Sequence, residues 1–447
     1  MTYNAGAPKA RVAGVSTVLA HGSVSPALRS SAPWVKYRQL LYTAALVFTL
    51  VIPGAHAAND KARAGPQPAF TLPVEPLGFH PQSAAVLVSR LSTNSLDFID
   101  EDHLLLTFRS MGLLKRDAST RPGEQDQSIH AVVLELPSGK IIRTADWRMH
   151  DHGRYLWPMQ DGRFLIRQRD TLFMTDASLE LRPYLDAPSR LQGVQPSPDG
   201  KLLVIQLDKE RHSASEHQRL TQQALDADAS LPREDVSILI VNAATGAVLG
   251  RTDAARPIDL PLMGDGYLET LPSKLDHWLL SYVGLSGEKK VFGDVLSTCA
   301  PTEVAATPSI SLLITCHAKT DDHLVQGIDA QGKLLWESWW GSAQIWPAFA
   351  HSRDGSRLAI SHLRATHGVD ALDPIGDEDI KGETLQVLDS TSGIVLLNIN
   401  VTPAVSSSEN FALSPDGKKF AVLTAKAIDI YDVPSPVLPA PEPERKK

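Results

Sequence analysis

Two cysteines in 447 residues, Cys299 and Cys316, are too few for a disulfide-dense scaffold, and at 17 positions apart they form no Cys-x-x-Cys zinc or haem motif. A Gly-x-Ser-x-Gly elbow, His-Glu-x-x-His and a phosphate loop are also missing, so no hydrolase, metalloprotease or nucleotide-binding signature is present and no cofactor is expected. Gly284-Leu285-Ser286-Gly287 lacks the elbow spacing. Positive charge is scarce too. A net charge of −8 excludes a general nucleic-acid binder, which needs a basic face to displace counterions from phosphates. Apolar runs of membrane length are absent: the longest, Leu40 to Ile52, has 13 residues against the roughly 20 a spanning helix needs.

That run nevertheless has a specific setting. Residues 1–39 carry five Lys/Arg and no Asp or Glu; Pro53-Gly54 ends the run and Ala55-His56-Ala57 follows. A basic region, a short apolar core and small residues two apart are the order of a secretory signal, with cleavage expected after Ala57 and residues 1–57 as the signal region. The expected location is therefore outside the cytoplasm, periplasmic or extracellular, with no membrane span in the mature chain. Residues 58–84 read as a leader and the proline-rich residues 434–447 as a disordered tail, since proline offers a sheet no N–H.

Between them the chain is a succession of short β-like runs. Asp-Gly turns recur at Asp161, Asp199, Asp265, Asp354 and Asp416, three of them as Ser-x-Asp-Gly (Ser197, Ser352, Ser414), each followed by an apolar strand. Their spacings are 38, 66, 89 and 62 residues. Two polar insertions, 208–235 and 364–383, account for most of the excess, and the 89 holds two repeats with a different turn near Thr307-Pro308-Ser309. The underlying period, about 40 residues, is that of a propeller blade. A second turn series (Ser138-Gly139, Thr245-Gly246, Ser286-Gly287, Gln331-Gly332, Ser392-Gly393) divides each repeat into four strands. The fold class expected is all-β: a seven-bladed β-propeller over residues 85–433. Six blades are full; the last has Phe411–Leu413, Phe420–Leu423 and Ile428–Tyr431, and its fourth strand is expected from Ala85–Val88 at the N-terminal side.

In its Ser-x-Asp-Gly and Asp-x-x-Ser/Thr-Gly turns (Asp389 to Gly393 is the cleanest) the chain resembles the WD40-like and YVTN-type propellers of exported bacterial proteins. That resemblance implies the fold and says little of activity. Asp329 to Trp336 also resembles the tryptophan-docking repeat of quinoprotein dehydrogenases, in one copy, which implies a tryptophan packed between blades.

Candidate sites are few. Cys299 and Cys316 flank the Thr307-Pro308 turn and, in an oxidising compartment, read as a disulfide. His150 and His152 lie in the crowded segment Trp147–Trp157; His-x-His on a strand would begin a metal site if a third ligand arrived, and otherwise serves inter-blade packing. Trp339, Trp340 and Trp346, close to Trp336, are either a binding surface for a glycan or protein or core between blades. Asp370, Asp373, Asp377, Glu378 and Asp379 match no calcium loop and read as a solvated acidic loop. Ser213 to Leu225 has the pattern of a helix standing over one face. Three functions fit: a recognition module for a protein, peptide or glycan; an enzyme (hydrolase, lyase or quinone-dependent oxidoreductase) with its site in the central channel; a structural partner in an envelope complex. Titratable side chains converging on the channel mouth would favour the enzyme, and an apolar, aromatic face the binder.

Overall fold

A computed structural model of the chain describes residues 65–112, 114–120, 126–150, 153–209, 236–254, 257–317, 322–369 and 374–436. The first elements are β1 (Phe70–Pro73) and a short helix, α1 (Ala84–Val88). Blade 1 is β2 (Asn94–Phe98), β3 (His103–Arg109), β4 (Gln127–Glu135) and β5 (Ile141–Met149); blade 2 is β6 (Leu156–Pro158), β7 (Phe164–Gln168), β8 (Thr171–Thr175) and β9 (Arg182–Asp186). Blade 3 follows with β10 (Leu191–Pro196), β11 (Leu202–Asp208), β12 (Val236–Asn242) and β13 (Val248–Ala254), and blade 4 with β14 (Leu262–Met263), β15 (Gly266–Lys274), β16 (His277–Gly284) and β17 (Lys289–Leu296). Blade 5 is β18 (Thr302–Ala305), β19 (Ile310–His317), β20 (Asp322–Asp329) and β21 (Leu334–Trp340). Blade 6 is β22 (Gln344–His351), β23 (Arg357–Ala365), β24 (Ile380–Asp389) and β25 (Val395–Val401), and blade 7 holds β26 (Phe411–Leu413), β27 (Lys419–Leu423) and β28 (Ala427–Asp432).

Each of seven sheets has four antiparallel strands, and they form the expected seven-bladed propeller. The seventh is completed by β1, which pairs with β28 (Phe70 opposite Ile430, Pro73 opposite Ala427). This corrects the expected closing strand: Ala85–Val88 lies within α1, where Val86 N–H bonds the Ser83 carbonyl and Leu87 is buried beside Ile345 and Leu363 of blade 6. The reason is local. Phe70-Thr-Leu-Pro73 sends only Leu72 inward, the alternation an outermost strand requires, and Pro73 stands on a sheet edge, where a missing N–H is tolerated.

Neighbouring blades stack face to face, so the middle two strands of a blade are covered on both sides. That is why β3 and β11 are buried at nearly every position while the outermost β13 is largely exposed. Alternate residues of one strand serve different seams: Leu104 and Leu106 pack with Ile428 and Ile430 of blade 7, and Leu105 packs with Phe164 and Ile166 of blade 2.

The Ser-x-Asp-Gly turns repeat one hydrogen-bond pattern. Ser352 Oγ donates to Asp354 Oδ1 at 2.6 Å and accepts Arg357 N–H at 2.9 Å; Asp354 Oδ1 accepts Ser356 N–H at 2.9 Å. Ser197 and Ser414 do the same, and the turn glycines 200, 355 and 417 have φ of 63°, 72° and 68°, the left-handed region. In blade 5 Thr307 Oγ1 takes the serine's part, accepting Ser309 and Ile310 N–H.

Strict antiparallel order puts these turns at one end of the ring. The opposite end carries the blade-to-blade connections and the loops between second and third strands, three of which are long: 110–126, 209–235 and 366–379. The strands bounding both expected insertions end on that face; most of the first insertion, including the expected helix Ser213–Leu225, and Asp370 and Asp373 of the second, lie outside the described residues. Asp377, Glu378 and Asp379 form a single 3-10 turn.

Candidate functional site

On the loop-bearing face, where blades 7, 1 and 2 meet around the channel, a set of polar groups converges. The connection into blade 7 ends at Glu409, a non-glycine residue with φ 65°. Its carbonyl accepts Leu96 N–H of β2 at 2.9 Å, and its carboxylate accepts Ser92 Oγ–H at 2.7 Å and Arg154 Nε–H at 2.8 Å. The Arg154 guanidinium also lies over the Trp157 ring, 5.5 Å from its centre, and stays 46% exposed. Asp97, on β2 facing this pair, accepts Ser95 Oγ–H at 2.5 Å. Burial pushes its carboxyl up to about 6, against the lowering effects of Ser95 and Arg154 and with help from the Glu409 charge.

Beneath them Arg109 is buried and fully engaged. It donates to the Ser92 carbonyl (2.6 Å), the Gly153 carbonyl (3.0 Å) and Gln127 Oε1 (3.3 Å), and its guanidinium stands 5.2 Å from the centre of the Tyr155 ring. Tyr155 is itself buried and shares a 2.8 Å hydrogen bond with Thr107, and burial raises its phenol well above the usual range. Arg167 and Gln206, on the second strands of blades 2 and 3, likewise bond backbone at or before the start of the next blade, at the Leu191 and Ile258 carbonyls. These three side chains join successive blades.

His150 stands further out, between blades 1 and 2. Its Nδ1 is 2.7 Å from Asp126 Oδ1 and 3.1 Å from the Arg169 guanidinium. Asp126 is buried and also accepts Thr120 Oγ–H (2.6 Å) and Arg148 Nε–H (2.7 Å). Burial alone would raise its carboxyl; the hydrogen bonds from Thr120, His150 and Arg148 outweigh that and hold it far below the ordinary carboxylate range. A cavity of about 230 Å³ opens here, lined by His150, Gln168, Arg169, Asp170, Thr171 and Phe173. His152 lies outside the described residues. Among the described residues no group of three or more His, Cys, Asp and Glu side chains is arranged to hold a metal.

The three tryptophans have different fates. Trp339 is 53% exposed, its ring 5.1 Å from that of His317. Trp340 is buried against His362 and Phe349. Trp346 is half-buried under the Arg90 guanidinium. Trp336 fills the seam to blade 6: its indole N–H donates to the Ser390 carbonyl at 2.8 Å and its ring lies where a Cβ on Gly327 or Gly393 would stand. Cys299, in the connection entering blade 5, is bonded to Cys316 at the end of β19, with Cα atoms 5.5 Å apart.

No protein-family model matches the chain, and no curated protein matches it either. Among solved structures it is similar to the Pyrococcus horikoshii acylaminoacyl peptidase, at 10% identity over 78% of this chain and 52% of that one, with a TM-score of 0.46. The chain thus spans about half that peptidase's length. A chain of a mitotic checkpoint complex is 12% identical over 88% of this chain and 99% of its own (TM-score 0.32), and a functionally unknown protein from Desulfotomaculum acetoxidans is 11% identical over 68% and 89% (TM-score 0.36). At such values the likenesses carry no information about activity.

Of the residues in this face, Asp97 falls inside a strand recognisable from sequence, and Arg154 in the aromatic segment singled out there. Glu409 has no sequence signal: it lies in an irregular connection, and only closure of the ring brings it to blades 1 and 2.

Proposed function

We propose that the chain is an exported recognition module that presents its loop-bearing face to a protein, peptide or glycan. The observation that carries this reading is that the strand ends bounding the three long segments, and the blade connections, all fall at one end of the ring. Exposed apolar side chains accompany them: Met111 at 75%, Leu275 at 87% and Trp339 at 53% exposure. The polar groups near the channel are mostly bonded to one another, as expected of blade connectors. Export is supported by the signal-like residues 1–57 and by the Cys299–Cys316 disulfide.

The enzyme reading keeps one specific support, the Asp97 carboxyl raised beside the Glu409–Arg154 pair, an arrangement in which one acid holds its proton while its neighbour is charged. One experiment separates the two. The exported protein is cross-linked in its own envelope, and captured partners are compared between wild type, Trp339→Ala with Met111→Ser, and Asp97→Asn. Loss of capture only in the first variant, at unchanged thermal stability, supports the binder. Unchanged capture in that variant overturns it as a surface of recognition, and turnover lost in Asp97→Asn supports the enzyme.

A further inference from the structure

The seam between blades 6 and 7 holds a carboxyl that no charge attends. Glu383 on β24 and Asn410, just before β26, are both completely buried. Asn410 Nδ2–H donates to Glu383 Oε2 at 2.7 Å, and Ser361 also hydrogen-bonds the carboxyl. The remaining oxygen of each planar group, Glu383 Oε1 and Asn410 Oδ1, has no hydrogen-bond partner. An ionised carboxylate and an amide oxygen only accept, so two such oxygens in one dry seam are each short of a donor, at a cost of about 1–3 kcal/mol apiece. A single proton on Oε1 changes this: O–H then donates to Oδ1, and acid and amide close a ring of two complementary hydrogen bonds.

We infer that folded Glu383 is the neutral acid, paired cyclically with Asn410, so that one proton latches blade 6 to blade 7. The surroundings agree. The cross-strand neighbours of Glu383 are Leu363 and Val401. Glu409 turns to Arg154 and Ser92, Arg364 reaches Thr402 Oγ1, and His362, one position along β23, packs against Trp340. None of these charges holds the carboxyl ionised, and burial pushes it up to about 7 against the hydrogen bonds of Asn410 and Ser361.

The latch makes the fold sensitive to base. With its folded value raised above the ordinary 4.5, Glu383 contributes stability that is complete below pH about 4.5 and is lost as pH rises through about 7. Glu383→Gln, which keeps the ring of hydrogen bonds without a titrating proton, is the test. In wild type the unfolding constant is expected to rise between pH 5 and 8 on the order of a hundred-fold more than in the variant. Equal pH dependence in the two overturns the proposal. If the variant does not fold, carboxyl-labelled glutamate followed by carbon NMR in the wild type replaces it, beside Glu303→Gln, which removes the other glutamate with a raised carboxyl among the described residues. A glutamate titrating near neutrality that survives Glu303→Gln supports the latch; its absence overturns it.

Discussion

Asp97, half-buried, and His362, fully buried, both lack an opposite charge sufficient to hold them ionised, and they act in opposite directions over the same acid range. The Asp97 carboxyl, raised to about 6, contributes stability that is lost as pH climbs from about 4 through 6. His362 has neither ring nitrogen bonded; burial first, then repulsion from His323, lowers it to about 4, so its contribution is present above pH 6.5 and lost as pH falls toward 4. Asp126, held low by its three partners, adds to the loss on the acid side. Asp97→Asn is expected to raise the urea midpoint at pH 7.5 by an amount equivalent to roughly 2 kcal/mol and to change little at pH 4. Equal effects at both pH values would show that folding does not raise the carboxyl at all. None of these shifts was legible in sequence. Glu383 and His362 look like ordinary polar residues of a strand, and only the neighbouring blade makes their surroundings dry.

At the scale of elements, the two middle strands of each blade were the most readable, because burial on both faces favours apolar runs such as Leu202 to Ile205. Turns built on Ser-x-Asp-Gly were equally readable, since serine and aspartate oxygens replace backbone acceptors at fixed offsets. The outermost strand was the weakest signal. Phe70–Pro73 offers one buried position in four, whereas Ala85–Val88 offers an apolar run, and run length favoured the wrong segment. The structure therefore predicts an asymmetry. Deleting residues through Val74 leaves β28 with a bare edge and is expected to yield soluble aggregates and early unfolding in size-exclusion and thermal-melt measurements. Replacing residues 84–88 by Gly and Ser is expected to leave a monomeric, closed ring. Aggregation in the second case with none in the first would reverse the assignment.

Across the whole molecule, stability is spread over seven similar seams, with the disulfide tying only the entry of blade 5 to its second strand. The two cysteines are 17 positions apart in sequence, which gives about 3 kcal/mol of stabilisation on loop-closure grounds. Cys299→Ser together with Cys316→Ser should lower the melting temperature by several degrees while leaving the strand signal in circular dichroism intact; loss of that signal at room temperature would mean that blade 5 cannot form without the bond. The blade count followed from a period of about 40 residues, but which end of the ring carries the blade connections came only from following strand direction around it.

The pairing of β1 with β28 also sets an order of events in synthesis. Its first strand leaves the ribosome early yet finds its partner only once Asp432 has emerged. Any product cut short before that point retains an unfinished last blade, so the circle acts as a check on completeness, and prematurely terminated chains should be the ones that proteases remove.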